Sequence, residues 1–429
     1  MQKMRQTVTY IAVFLSAVIL LTGVLVLSAG IPRSAIRENL LDSAEFLCNR
    51  PLFSTAVEGV EGSRIDRYAD SILLAIAWQY DGERPLESVM ESSYYDTKYQ
   101  DERQNLLEAV TKELPANQQY LRYWHGSIAI VRPLLTVFSL KQIYLLNGIL
   151  MAVLTLWLLG VLCRNSMLVP AFGVALGLVM TSSWFVPLSL EYTWTFHLML
   201  AGSLIAVKLA GAGKWRFLHV FFLLSGIVTN YLDFLTTETL TLLVPLLLVL
   251  WIRHRQADSR PGVFAVKGIL AWGCGYVGMW LAKWLLAAVI LGENVIPYVA
   301  EHVGERIGGD LGLPLWRYMT GAVLRNVRCL FPLEYGTAGV LAAIALVVFA
   351  TYVGYVHQKR QIFRNRIALY AALGLIPYVR YLVLHNHAWL HCFFTYRAQL
   401  ATLLAAVLIL EELTDWRMPG YGNIGKRKP

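Results

Sequence analysis

The chain has 429 residues, 57% of them hydrophobic and only 15% charged, with a formal net charge of +9. A soluble globular domain carries about 25% charged residues, so this composition argues against an ordinary soluble fold. Nucleic-acid binding explains the positive balance poorly, because the Lys and Arg residues sit in separate short segments rather than on one patch.

The apolar residues gather in runs of about 17–25, the length of a membrane-crossing helix. The period-2 alternation of a barrel is missing. In lipid the backbone must satisfy itself, so these runs are expected to be helices. In chain order they cover residues 8–29, 143–163, 168–186, 194–210, 217–232, 237–251, 263–290, 337–355, 367–384 and 395–410. The expected fold is all-α: a polytopic integral membrane protein of about ten transmembrane helices, one domain over 1–429. The first run is longer than a signal-peptide core of about 7–15 residues and reads as a retained anchor.

Lys3 and Arg5, Arg164, Lys214 and Arg216, Arg253, Arg255 and Arg260, Lys359 to Arg366, and Arg417 to Lys428 all fall on one side of ten spans. The positive-inside rule makes that side cytoplasmic. Both termini, with the short tail 411–429, are then expected inside a multi-pass cell-membrane protein. The polar residues of the other side point to an extracytoplasmic site. Of the five cysteines, Cys48, Cys329 and Cys392 fall outside, while Cys163 and Cys274 lie in or beside the membrane. With no Cys-x-x-Cys pair and an odd external count, packing roles are expected.

Residues 30–142 form a long first extracytoplasmic loop that reads as helical. Over 34–48, Ile36, Leu40, Leu41, Ala44 and Leu47 mark one face. Ser63-Arg64-Ile65-Asp66 reads as an N-cap with an acid three residues on, opening a helix over 66–78. Asp66 and Asp70 would share one face of it, and Asp66 has a competing reading as a helix cap. Residues 120–138 place Trp124, Ile128, Ile130, Val131, Leu134 and Leu135 beside Arg122, His125 and Arg132. They read as an interfacial helix kinked or restarted at Pro133.

Glu191 and His197 flank a short outer turn. Asn230-Tyr231-Leu232-Asp233, with Glu238 behind it, ends the fifth run, where ionisable groups suggest function or a polar turn. Residues 293–336 read as a Gly-rich outer loop carrying Arg306, Asp310, Arg317, Arg325 and Arg328. The last outer loop is His385-Asn386-His387-Ala388-Trp389-Leu390-His391, bracketed by Arg380 and Arg397. His387 and His391, at i and i+4, could share a metal. Together with the two arginines they could instead bind a phosphate, or simply make structural hydrogen bonds.

In its layout, and in the segments Tyr123-Trp124-His125-Gly126, Asn230-Tyr231-Leu232-Asp233-Phe234 and His391-Cys392-Phe393-Phe394-Thr395-Tyr396-Arg397, the chain resembles the C-type glycosyltransferases, the GT-C superfamily. That resemblance implies a polyprenyl-phosphate sugar donor, a hydroxyl acceptor on a glycan, lipid or protein, and contact with membrane lipids. It also implies a catalytic acid in the first outer loop, here Asp66 or Asp70. The chain departs from the commonest pattern in having no Asp-x-Asp close behind the first helix. The lipid-phosphate site is expected from Arg380, Arg397, His387 and His391, with His125, Arg132 and Asp233. The resemblance leaves a divalent cation, Mg or Mn, open. A lipid-linked envelope polymerase or ligase and a transporter remain as alternative readings.

Overall fold

The structure, a computed structural model, describes residues 2–256, 260–295, 297–298, 300–301, 304, 308, 312–356, 358–359 and 362–415. Arg306 and Asp310, and most of the tail 411–429, lie outside the described residues.

A helix lies in each of the ten apolar runs, because a run with no polar partners can satisfy its backbone only internally. The helices at these runs are α1 (Gln2–Ala29), α7 (Leu140–Arg164), α8 (Leu168–Met180), α9 (Thr193–Gly211), α10 (Trp215–Leu232), α11 (Leu240–Arg255) and α12 (Pro261–Leu291). After α13 (Leu315–Arg328), which lies between runs, come α14 (Gly336–Val356), α15 (Arg364–Val383), α16 (His385–Leu390), α17 (Cys392–Thr395) and α18 (Leu400–Leu413). Among the described residues, seven segments are long and apolar enough to cross a membrane: Thr7–Ala29, Leu140–Arg164, Thr193–Gly211, Pro261–Leu291, Leu333–Val356, Arg364–Val383 and Cys392–Leu413.

The run at 168–186 differs from expectation. α8 stops at Met180 because Ser182 turns left-handed (φ 49°), and a separate 3-10 turn follows over Ser183–Leu188. α11 is 16 residues long and buried from Leu240 through Trp251, as a helix apolar on all sides should be at the centre of a bundle. α10 and α12 cross with their backbones almost touching. A methyl group on Gly226 would collide with Trp272 O, and one on Gly275 with Leu223 O. Small residues permit this approach where lipid offers no hydrophobic drive.

The stretch between α1 and α7 holds α2 (Arg33–Cys48), α3 (Arg67–Gln79), α4 (Pro85–Glu91), α5 (Glu102–Lys112) and α6 (Ile128–Leu134). It also holds a small antiparallel ribbon that the sequence reading missed: β1 (Phe53–Thr55) pairs with β2 (Arg64–Asp66), Phe53 opposite Asp66. α3 opens one residue later than expected, and its cap is Asp66, whose side chain accepts from Ala69 N at 3.1 Å. Ser63 does not cap: its hydroxyl donates to Val60 O at 2.8 Å within the preceding turn. Asp66 therefore precedes the helix instead of sharing a face with Asp70.

The stretch 120–138 is likewise not a surface helix. Only Ile128–Leu134 is α-helical, and the fully buried Trp124 donates its indole N–H to Met279 O of α12 at 2.8 Å. One continuous hydrophobic core joins this stretch to the long helices, running from Leu25 of α1 through Ile36, Leu74 and Trp124 to Met279.

Three buried ionisable groups fasten the loop. Lys283 of α12 donates to Val89 O (3.1 Å) and Met90 O (2.9 Å) near the end of α4. Arg132 donates to Ala77 O, Ile31 O (2.6 Å) and Tyr80 O (3.2 Å), closing the end of α3. Cations suit helix C-termini, where unpaired carbonyls gather. Asp70, fully buried in α3, accepts from the Tyr144 hydroxyl of α7, from Leu190 N at 2.8 Å and from Ser189 Oγ at 3.4 Å.

Burial pushes the Asp70 carboxyl up to about 7, against the bonds that it accepts. An unfolded aspartate titrates near about 3.9. Between those values the folded protein keeps a proton that the unfolded chain releases, so this contribution to stability is full below about 4 and is lost as pH rises toward 7. Melting in detergent should therefore show wild-type stability falling over this window, and falling less in Asp70→Asn. Equal slopes would remove the assignment. Asp70→Ala strands the Leu190 N–H and the Tyr144 hydroxyl, at about 1–3 kcal/mol each, and should melt well below both.

Candidate functional site

A cavity of about 720 Å³ opens where the ribbon, α3, the 120–125 segment and the histidine-bearing turn converge. Its polar wall comprises Arg64 and Asp66 from β2, Tyr68 from α3, Glu102 from α5, Tyr120, Arg122 and His125, Glu191, and Asn386, His387 and His391. Phe53, Ile72, Leu73, Phe234, Leu390 and Phe393 supply the apolar part. Polar and titratable side chains that converge in a pocket beside an apolar wall mark a candidate small-molecule site.

Each polar group has a local reason for its position. The ribbon aims Arg64 and Asp66, and the start of α3 fixes the Asp66 carboxylate through Ala69 N. Burial raises Asp66 to about 6, with the amides of Ala69 and Tyr68 and the charge of Arg64 opposing. The acid is therefore mostly ionised at neutral pH, yet a stronger proton acceptor than an ordinary aspartate. Glu102, opening α5, is also raised, chiefly by burial and then by Asp96, Asp101 and Asp66.

Aromatic faces hold the two cavity arginines. Arg64 lies 4.3 Å from the Phe53 ring centroid and 4.6 Å from that of Phe393, and it pairs with Glu61 at 3.0 Å. Its buried Nε has no hydrogen-bond partner among the described residues. Arg122 sits over Tyr120 and Tyr123, 5.0 and 5.4 Å from their centroids. Arg122 also donates to the Tyr120 hydroxyl at 3.3 Å, and both guanidinium groups stand at the cavity wall with aromatic rings against them.

His125 adopts a left-handed backbone (φ 52°), a strained conformation that often marks functional positions. Its ring packs 4.8 Å from Tyr120 and 5.3 Å from Phe234, and its Nε2 is 3.3 Å from Tyr120 O. The buried Nδ1 lacks a partner among the described residues. Burial, reinforced by Lys283, lowers its pKa to about 3, so the imidazole is neutral. His387 and His391 lie with ring centroids 4.8 Å apart.

Four of the nine expected site residues thus meet in one cavity: Asp66, His125, His387 and His391. The other five lie outside its lining, each engaged elsewhere. Asp70 and Arg132 bind the loop to its neighbours as described above. Asp233 caps the turn after α10, accepting from Thr236 N and Oγ1. Arg380 forms a buried, two-toothed ion pair with Glu238 and donates to Leu235 O. Arg397 is fully buried, donating to Gly62 O (2.8 Å) and Phe393 O (3.1 Å) between Tyr192 and Tyr396. The arginines in the cavity lining are Arg64 and Arg122, not the Arg380 and Arg397 expected from the sequence.

Sequence reasoning did not select Arg64, Glu102, Tyr68 or Tyr120 for the site, and treated Arg122 and Glu191 as background. Arg64 stood inside the proposed capping box, which was the available signal. A cation cage does not assemble: among the described residues no three His, Cys, Asp or Glu side chains gather closely enough to hold a metal ion. In comparisons with family models, with curated proteins and with solved structures, nothing matches this chain.

Proposed function

We propose that the chain is a membrane glycosyltransferase of the C type, with ten spans, both termini in the cytoplasm and its cavity on the extracytoplasmic face. It moves a sugar from a polyprenyl-phosphate donor to a hydroxyl of a glycan, lipid or protein. The observation that carries this reading is the cavity itself. It unites an acid poised near 6, two ring-held guanidinium groups and two adjacent imidazoles on a helical membrane protein.

Each group has a role in one displacement. Asp66 takes the acceptor hydroxyl proton as that oxygen forms its bond to the anomeric carbon. The bond from that carbon to the phosphate oxygen breaks, and the polyprenyl phosphate leaves with the electron pair. Arg64 and Arg122 bind the phosphate where negative charge grows, and His387 and His391 add hydrogen bonds. Neutral His125 donates or accepts a hydrogen bond to the sugar, and Tyr120, Tyr123 and Phe234 offer their faces to its ring. Glu102 and Glu191 accept from sugar hydroxyls.

The test is release of polyprenyl phosphate by purified protein from a panel of polyprenyl-phosphate hexoses and pentoses with acceptor extracts. Asp66→Asn should lower the rate by about 10²–10⁴ while leaving the melting temperature within a few degrees. In wild type, kcat/KM should rise with pH through about 6 as Asp66 loses its proton, and this limb should vanish in the Asn variant. Full activity in Asp66→Asn would overturn the reading.

A second test separates cavity cations from structural ones. Arg64→Lys and Arg122→Lys keep the charge but lose the planar fork, so donor affinity should fall at least several-fold with stability nearly unchanged. Arg380→Lys should instead lower stability, through the loss of its paired contacts to Glu238. Unaltered donor affinity in both cavity variants would leave the phosphate role unsupported.

A further inference from the structure

Beside the cavity lies a second group of reactive side chains that the glycosyl-transfer reading does not use. Cys329 follows α13 and Cys392 opens α17, and both side chains are buried with Tyr396 in one small cluster. The two side chains pack in the same buried cluster at the junction of α13 and α17. They line a pocket of about 350 Å³ together with Gly59, Glu61, Arg325, Arg328 and Glu334. In this pocket the Arg325 charge favours the anionic form of Cys392, whereas the Glu334 carboxylate, which accepts from Gly62 N at 2.7 Å, disfavours that of Cys329.

The other cysteines lack this arrangement. Cys163 and Cys274 are exposed on α7 and α12, and Cys48 donates to Arg103 O at 3.2 Å. A packing role, expected for all five from the sequence, does not require two sulfurs to meet in a charged pocket. All five are free thiols in the structure.

We propose that Cys329 and Cys392 form a reversible disulfide that ties α13 to the histidine-bearing turn. The oxidant is a small-molecule or protein disulfide, RSSR. Cys392 is the attacking sulfur, because the guanidinium beside it balances an anionic sulfur, whereas a carboxylate faces Cys329. Attack forms Cys392–S–S–R and releases the first RSH. Cys329 then attacks the Cys392 sulfur, closing the internal S–S bond and releasing the second RSH. Two electrons and two protons pass from the cysteines to RSSR, and a reducing dithiol reverses the exchange.

The consequence reaches the cavity. Cys392 lies between His391 and Phe393, both of which form the cavity wall. α13 already holds this turn through Tyr318 to Asn386, Asn326 Nδ2 to Ala388 O (2.8 Å) and Thr395 Oγ1 to Asn326 Oδ1 (2.6 Å). A covalent bond in the same place fixes what these hydrogen bonds only favour. That cellular oxidants reach the pair rests on the extracytoplasmic placement proposed above; its capacity to form the bond does not.

The experiment uses the full chain in detergent, treated with oxidised glutathione, denatured, capped with a maleimide and mapped by mass spectrometry. The expected result is a Cys329–Cys392 linked peptide pair that dithiothreitol splits, with reactive thiols falling from five to three. In Cys329→Ser the linked pair should be lost and glutathione should remain on Cys392. Five reactive thiols in oxidised wild type, or linkage through Cys48, Cys163 or Cys274 instead, would overturn the proposal. Protein that forms the link yet transfers no sugar in either the reduced or the linked state upholds this inference and counts only against the glycosyltransferase reading.

Discussion

The carboxylate of Asp70, sealed between α3, α7 and the backbone of Leu190, sets where the long loop meets the helices. Its acceptors are filled by a phenol on one helix and an amide from another segment, so α3 can neither slide nor rotate without stranding a buried donor. Asp66 begins the same helix. The acid that faces the cavity is therefore aimed by the acid that does not. Two aspartates that look equivalent in sequence divide the work: one is sealed among hydrogen bonds, and the other is left at a cavity wall.

The cations divide in the same way. Lys283, Arg132 and Arg397 direct their donors to backbone carbonyls, and Arg380 to a carboxylate and a carbonyl. A buried cation needs such partners to offset desolvation, and once it has them it offers little to a ligand. Arg64 and Arg122 solve the problem differently, resting on the faces of Phe53, Phe393, Tyr120 and Tyr123. Rings cover one face of each guanidinium, with the Glu61 carboxylate at an edge of Arg64 and the Tyr120 hydroxyl at an edge of Arg122.

The fold was more legible in the sequence than the site. Apolar run length located a helix at every expected run, and the stripe of Ile36, Leu40, Ala44 and Leu47 located α2, because burial imposes periodicity. The ribbon was missed because strands of three residues carry no period, and the Ser182 break because a left-handed serine leaves no mark in composition. Arg380 and Arg397 were chosen for their position at span ends. Position along a helix does not reveal azimuth, and both turn inward. Arg64 and Glu102 reach the cavity through tertiary folding of a loop, which residue spacing does not encode. Asp66, His125, His387 and His391 were legible because each stood in a locally polar or aromatic segment at the mouth of an apolar run.

The glycine contact between α10 and α12 makes these two helices a single beam. One end of the beam leads to Phe234 at the cavity, and Lys283 stands further along α12 under the end of α4. Inserting or deleting one residue between Gly275 and Lys283 would turn everything beyond it by about 100°. The ammonium group would then swing away from the Val89 and Met90 carbonyls, though the hydropathy of the helix would hardly change. Over this stretch the fold therefore depends on the count of residues as well as on their kind: the spacing from Gly275 to Lys283 carries the phase that joins the helix contact to the loop.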